Sequence, residues 1–458
     1  MKISDRFKSL PVSSKRLLGL GVIIALFVAL PLFVWGIVTQ KFDLRKRAQI
    51  VPSTCIPQNN VITVVPSGDS NTCHDIQAAI DAVTGDGYTV RISSGTYDIY
   101  STINVDGKTN LAITGDPQAG SGAVVINSAP GGGWGILVQN SSGSIEWLTM
   151  TGGSSNGMLS IINSNNFSVG YASLNSQTSH TVDIQGSSNI TVYNTEIQSS
   201  AGALEVLSSS YIDIFNNKIH DSNNAISINN SQNIQIIANL IHSNRESGIT
   251  LSDIANITAS HNTITNNGLN GVGFPGVRAL GNFSGIISIS DNIVAMNNGG
   301  GLHFEGSVTN LSGTFERNDI YGNYTNYSGV PDQTGINGNI SSDPVLNNAS
   351  SLYCPAPNSP VIWGDVGNFE YMGYIGPCST ATATPTASPT PTSTATATAT
   401  ATASPIIPGD INGDGQVNIV DLGIIIDHYG EEGQNVSGDL NGDGIVNIVD
   451  IGIVIDNY

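Results

Sequence analysis

An all-β solenoid, in which short parallel strands of successive coils lie one above another, is the fold this sequence predicts. Three observations predict it. One sentence is written four times between Thr181 and Ile264, with a period of 22 or 23 residues, opening at Thr181-Val-Asp-Ile, Ala203-Leu-Glu-Val, Ala225-Ile-Ser-Ile and Gly248-Ile-Thr-Leu. Each copy holds two alternating apolar/polar runs around a small polar corner, then a third short run ending in Lys218-Ile219, Leu240-Ile241 or Thr263-Ile264, which is strand periodicity. Asn217, Asn239, Asn262, Asn292 and Asn318 each stand two residues before an apolar residue of that third run. Stacked coils lie about 4.8 Å apart, so like amides in register can hydrogen-bond along the axis as a ladder. A unit this short cannot bury its own apolar face, so neighbouring units must stack, and strands of one direction at a fixed period make a parallel β-helix.

These repeats resemble the right-handed parallel β-helix repeats of the pectate-lyase-like superfamily, over roughly residues 60 to 345. The resemblance implies the fold and not, by itself, a chemistry.

Composition agrees. Charged residues make up 11% of the 458-residue chain, well below about 25% in an ordinary domain, as suits a coil whose solvent faces are Ser, Thr and Asn. Nine of the 15 Lys and Arg fall before Ala48, in a chain whose net charge is −20. So acidic and Lys-poor a body offers no footprint for nucleic acid; it is compatible with cations and neutral sugars.

In chain order, residues 1–16 read as a basic tail inside the cell and 17–39 as a transmembrane anchor. Leu17 to Val38 is an uncharged run of 22 residues, long enough to cross a bilayer, with Trp35 at the place of an interfacial anchor. A cleaved signal peptide is the alternative, leaving a secreted protein; the run is long for one, and Lys41-Phe-Asp-Leu-Arg-Lys-Arg follows instead of a small-residue cleavage site. Residues 40–59 are a juxtamembrane segment, and 60–378 the β-helix with its caps. Asp75 to Val83 carries apolar residues at Ile76, Ala79, Ile80 and Val83, an amphipathic helix that would cover the open end of the core. Its order before Thr89-Val-Arg-Ile and Gly95-Thr-Tyr resembles the N-terminal cap of the same superfamily. Coils at Gly135-Ile-Leu-Val and Gly157-Met-Leu-Ser lack the ladder Asn, so the ladder begins later. After Ile264 the spacing stretches to 30 and then 26 residues, placing a loop at Asn266 to Gly276. Asp343 through Cys378 reads as an irregular C-terminal cap with Trp363, Phe369, Tyr371 and Tyr374. Residues 379–407 are a linker of Thr, Ala, Pro and Ser that cannot form a core.

The tail, residues 408–458, carries the strongest motif. Asp410, Asn412, Asp414, Gln416, Asn418 and Asp421 recur as Asp439, Asn441, Asp443, Ile445, Asn447 and Asp450, with Gly415 and Gly444 at the turn. Oxygen donors thus fall at positions 1, 3, 5, 9 and 12 of each loop, Gln416 and Ile445 adding a backbone carbonyl at position 7, which is the EF-hand calcium pattern. Position 12 is Asp rather than Glu. Apolar residues at helical spacing follow each loop (Ile419, Leu422, Ile426; Ile448, Ile451, Ile455), and no incoming helix precedes the first. Two loop–helix halves of this kind resemble the type I dockerin. That resemblance implies two Ca2+ sites, a cohesin-type module on another protein as partner, and a companion domain that works on polysaccharide. Ile419-Val420 and Ile448-Val449 stand where many members place Ser or Thr for cohesin contact.

Four cysteines fall in two close pairs, and three connectivities are open. Because the neighbouring modules are extracellular in type, the expected arrangement is Cys55–Cys73 and Cys354–Cys378, one staple at each end of the solenoid, rather than free thiols. The same reasoning places the body outside the cell, since the basic flanks of the anchor do not decide its orientation.

Candidate catalytic residues come from the outward slot of the first strand, where Asp183, Glu205, Ser227, Thr250, Arg278 and His303 stack coil upon coil. Asp183 and Glu205 make an admissible carboxylate pair for glycosidic-bond cleavage, with a solvated surface pair as the plain alternative. Arg278, His303 and Glu305 make a second cluster, a cation for an acidic sugar beside proton-handling groups. His220 and His242, with Asp221 and Glu246 nearby, have the ligand types of a transition-metal site. The Asp clusters of calcium-dependent pectate lyases and the Asp pair of polygalacturonases are not found. The expectation is therefore a cell-surface modular protein whose β-helix binds or degrades polysaccharide (as a glycoside hydrolase or lyase, if an enzyme), or else a non-catalytic adhesin with a calcium-stabilised end.

Overall fold

A computed structural model of the chain describes residues 55–67, 72–128, 133–305, 315–347, 353–365 and 368–374, with isolated positions between 411 and 446. The chain divides into two compact units, Met1–Val361 with Tyr371–Gly376, and Ile362–Glu370 with Pro377–Tyr458. The described part of the second centres on the strand pair Ile362–Asp365 and Asn368–Tyr371. The predicted membrane anchor and the dockerin loops and helices lie outside the described residues. Among those described, no helix is long and apolar enough to cross a membrane.

The first unit is the solenoid. Each full coil gives one strand to each of three faces: the coil opening at His180 supplies His180–Gln185, Ser188–Tyr193 and Glu196–Ser199. The next supplies Leu204–Leu207, Ser210–Phe215 and Lys218–His220. Pairing between these coils is parallel, and the third face alone stacks ten strands. Inward positions form the core, with Val182, Ile184, Ile190, Val192 and Ile197 fully buried. The register of the outward slot is the one the repeats predict: Asp183 lies on Glu205, then Ser227, Thr250, Arg278 and His303.

Sharp corners need left-handed backbone, which Asn adopts more readily than most L residues. Between the second and third faces one such residue turns the chain, as at Asn194, Asn216, Ala238 and His261. The residue after it points inward and satisfies the backbone it has interrupted. There the predicted ladder runs from Asn217 through Asn239, Asn262, Asn292 and Asn318 to Asn339, each amide donating to the next Oδ1 at 2.9–3.0 Å. It begins at Asn217, where the Thr195 N–H donates to Oδ1. A second ladder at the corner between third and first faces was not expected: Asn244, Asn267, Asn297 and Asn323. A serine ladder (Ser141, Ser164, Ser187, Ser209 and Ser231) serves the remaining corner, each N–H donating to the next Oγ.

Four features differ from the reading of the sequence. In the coils from Ile226 onward the first and second runs join into single strands, Ile226–Ile237, Ile249–Ser260 and Val277–Ser290, because pairing continues across the corner. The long coil has two insertions rather than one. Residues 266–276 form a loop, and the register also shifts between Ser252/Ile254 and Ala255/Ile257 opposite Gly281 and Gly285. The helix is Ile76–Asp81, with the Asp75 carboxylate accepting from the Ala78 N–H at 3.0 Å as its cap. The C-terminal segment lies along the outside of the third face instead of only closing the end. Gly373 N–H donates to the Asp291 carbonyl and Tyr374 N–H to Thr263 Oγ1. Gly373 is required there, since a Cβ would stand 2.6 Å from Thr263 Oγ1. Under this cover the outward positions change from Glu196 and Lys218 to Leu240, Thr263 and Ile293, all buried. Cys55 and Cys73 form the expected disulfide; Cys354 is buried, and its predicted partner Cys378 lies outside the described residues.

Candidate functional site

The first face gathers the sequence-predicted residues into two groups and separates one pair. Asp183 is buried, and its carboxylate accepts from Ser160 Oγ at 3.0 Å and from Gln185 Nε2 at 3.0 Å and 3.1 Å. Those contacts lock it as a structural acceptor between coils. Its register neighbour Glu205 turns instead to His180, Nε2 to Oε2 3.4 Å, with both side chains part-exposed. Gly202 makes room for that ring, since a Cβ would stand 2.7 Å from His180 Cδ2. His180 and Glu205 line a depression of about 210 Å3 with Asn224, Ser227 and Glu246. Asn224 Nδ2 donates to Glu246 Oε2 at 2.8 Å. The carboxylate that shares an open pocket with Glu205 is therefore Glu246, two coils on, and not Asp183.

Further along the same face Arg278, His303 and Glu305 do converge. Glu305 Oε1 accepts from Arg278 Nη2 at 3.0 Å and lies 2.8 Å from His303 Nε2. The Arg278 hydrogen bond, ahead of His303, holds the Glu305 carboxyl below the ordinary range. The group is exposed and its charges satisfy one another, so the guanidinium is already engaged before any acidic sugar arrives.

On the third face His220 is held between two carboxylates, Nε2 to Glu196 Oε1 2.9 Å and Nδ1 to Asp221 Oδ2 2.7 Å. The His220 hydrogen bond is the main cause that brings Glu196 down to about 2. His242 stacks on it with ring centroids 4.9 Å apart and is covered by Tyr353 on its other side at 4.7 Å. Burial lowers His242 to about 4. The transition-metal reading of these histidines fails, because the parallel rings do not aim their nitrogens at one point and both of His220's are taken. Among the described residues no group of three His, Cys, Asp or Glu side chains is placed to hold a metal. Glu196, His180 and Glu246 were not singled out as site residues from the sequence; the 22- and 23-residue offsets to Lys218 and Glu205 were the available signal.

The twelve calcium-loop positions lie outside the described residues, so their fit rests on donor chemistry. Each loop offers three Asp and two Asn side chains plus a backbone carbonyl, an all-oxygen set suited to a hard cation.

Known proteins place the two halves of the chain. Residues 134–282 match the family model of the right handed beta helix region, which gives the solenoid its hand. Residues 408–457 match the dockerin type I domain. The chain thus joins a right-handed parallel β-helix to a C-terminal type I dockerin. Similar solved structures include pectate lyase Pel9A, 15% identical over 70% of this chain and 97% of that one, at a TM-score of 0.40. The A-module of Azotobacter vinelandii mannuronan C-5 epimerase AlgE6 is 15% identical, covering 59% and 94%, at 0.35. The periplasmic alginate epimerase AlgG is 12% identical, covering 65% and 87%, at 0.33. Likeness of this degree carries no argument about substrate or reaction. No curated protein matches the chain.

Proposed function

We propose that this is a cell-surface modular protein whose β-helix holds polysaccharide while its dockerin couples it, through calcium, to a cohesin-type module on another protein. The observation that carries the reading is the dockerin match on residues 408–457, in a chain that also holds a β-helix with three polar, stacked outer faces. Residues 17–39 anchor it in the membrane with the body outside, or are removed to leave it secreted. The domain order is the one read from the sequence: basic tail, anchor, juxtamembrane segment, β-helix, linker and dockerin.

Asp410, Asn412, Asp414, Asn418 and Asp421, and their counterparts Asp439, Asn441, Asp443, Asn447 and Asp450, would hold the two ions, with Gln416 and Ile445 lending carbonyls. Bound calcium supplies the charge that neutralises six clustered aspartates and lets two loops fold. Binding rather than cleavage is the better-supported role of the first face, because Asp183 is spent on Ser160 and Gln185, and Glu305 on Arg278. The pocket of Glu205 and Glu246 supports cleavage as a second reading.

Calorimetry of the full chain titrated with calcium should show heat absent in excess EDTA, with added helical circular dichroism. A type I cohesin column should then retain the chain in calcium and release it in EDTA. Flat titration and unchanged helicity would remove the dockerin half of the proposal. Release of reducing or unsaturated ends from a glycan panel, abolished by Glu205→Gln, would establish cleavage over binding.

A further inference from the structure

The largest depression on the solenoid is not on the first face. It holds about 780 Å3 on the outside of the second, and none of the residues considered above lines it. One rim is a row in register across five coils: Asn166, Asn189, Tyr211, Asn233 and Asn256. All five have left-handed backbone, φ between 53° and 60°. The amides link along the axis, Asn189 Nδ2 donating to Asn166 Oδ1 at 3.2 Å and Asn256 Nδ2 to Asn233 Oδ1 at 2.9 Å. Ser168, Thr191, Asp213, Gln235 and Thr258 form the floor, also in register. Beyond the far edge of the same strands runs a rail of half-exposed rings. Trp147 stacks on Tyr171 at 4.0 Å, Tyr171 meets Tyr193 at 5.4 Å, and Tyr193 meets Phe215 at 5.4 Å.

Tyr211 is the anomaly. Four of its register mates are Asn, the residue a left-handed corner favours, whereas a bulky side chain there is disfavoured. The tyrosine is 57% exposed, and among the described residues no ring stacks on it. Packing therefore gives no return for the strain, while an exposed ring at the rim of a groove is what a ligand face uses. Charge narrows the ligand. Asp213 is the one ionisable carboxylate among the lining residues, and no Lys or Arg lines the groove. A polyuronate would meet repulsion with no cation to offset it, whereas amides, hydroxyls and aromatic faces suit an uncharged sugar chain. The rungs repeat every 4.8 Å or so, close to the length of one pyranose unit, so the same side-chain types can meet successive sugars along the axis.

We propose that the outer side of the second face is a binding surface for an uncharged polysaccharide lying along the solenoid axis, with Tyr211 stacking on one sugar and the Asn row and the Ser/Thr/Gln floor bonding its hydroxyls. The proposal rests on the reading that the β-helix handles polysaccharide, and moves the contact to a face that reading did not use.

Affinity gel electrophoresis of the full chain tests it, with xylan, mixed-linkage β-glucan and galactomannan as uncharged probes and polygalacturonate as the anionic one. At least one uncharged probe retards the protein and polygalacturonate does not. Tyr211→Asn, which restores the residue its neighbours carry and so spares the fold, weakens retardation about tenfold, as loss of an aromatic anchor does. Tyr211→Phe retains it, and Tyr324→Ala, at an equally exposed tyrosine outside the groove, changes nothing. Retardation untouched by Tyr211→Asn, or equally strong retardation by polygalacturonate, overturns the proposal. Loss with Glu205→Gln but not with Tyr211→Asn overturns it while leaving polysaccharide binding on the first face. No retardation by any probe sinks both readings.

Discussion

Asn239 offers the most direct test of what holds the coils together. Its side chain is fully buried, and Nδ2 donates to the carbonyls of Ile214 at 2.8 Å and Ile237 at 3.1 Å and to Asn262 Oδ1 at 3.0 Å. Its Oδ1 accepts from the Asn217 N–H and from Asn217 Nδ2, both at 3.0 Å. Asn239→Ala removes all of these at once. The Asn217 side chain keeps the Val192 carbonyl, but the Asn217 backbone N–H loses its acceptor in a dry corner, at about 1–3 kcal/mol. Adding the lost bonds and a small cavity brings the destabilisation to on the order of 3–5 kcal/mol. The same change at Asn127, whose outward amide only meets Asp98 Oδ1 at 3.1 Å, should cost about 0.5 kcal/mol or less. Urea unfolding followed by near-ultraviolet circular dichroism gives both numbers. Amide exchange should show the loss concentrated in the coils adjoining 239, because a solenoid couples each rung chiefly to its neighbours. If the Ala variants at 239 and 127 unfold at the same midpoint, the ladder is not what stabilises the corner.

Three further outcomes follow from the same geometry. Asp319 is fully buried beneath the segment that follows it, with Oδ1 accepting from the Ser342 N–H and Oδ2 unpartnered, and burial pushes its carboxyl up to about 7. A raised folded value means stability fully present below about pH 4 and lost as pH rises through 7. Asp319→Asn should therefore match the parent at pH 4 and exceed it at pH 8 by up to about 4 kcal/mol, read as a difference in urea midpoints. His242 works the other way: with its folded value lowered to about 4, its contribution is complete above pH 6.5 and lost as pH falls to 4. Amide protection around 240–242 and 353–355 should drop in that window, and a flat profile would contradict the burial of the imidazole under Tyr353. Reduction of Cys55–Cys73, 18 residues apart, should cost about 3 kcal/mol, visible as a lower melting temperature in dithiothreitol than in its absence.

Much of the solenoid was legible because its rules are local and repeated. Period, register, the outward slot from Asp183 to His303 and the first Asn ladder all follow from side-chain alternation counted along the chain. The second ladder was equally present, each of Asn244, Asn267, Asn297 and Asn323 standing five residues after a member of the first. It went unread because those residues follow the third run and look like loop. The candidate site was legible only as a set of stacked positions. Alternation says which side chains leave the core, but not what then covers them. Asp183 points outward and is nonetheless buried by Ser160 and Gln185 of its own and the preceding coil. Leu240, Thr263 and Ile293 point outward and are buried by a segment some eighty to a hundred residues downstream in the chain.

By itself, then, the sequence determined the winding, since burying one apolar side chain in two along a repeated unit admits few other arrangements. It also determined the tail's oxygen-rich loops, whose ligand spacing is contained within twelve residues. The tertiary structure alone decided which outward groups meet solvent, which carboxylate shares a pocket with Glu205, and that Tyr211 stands over an uncharged groove. Those outcomes depend on contacts between coils and on the returning C-terminal segment, whose separations along the chain no local pattern records.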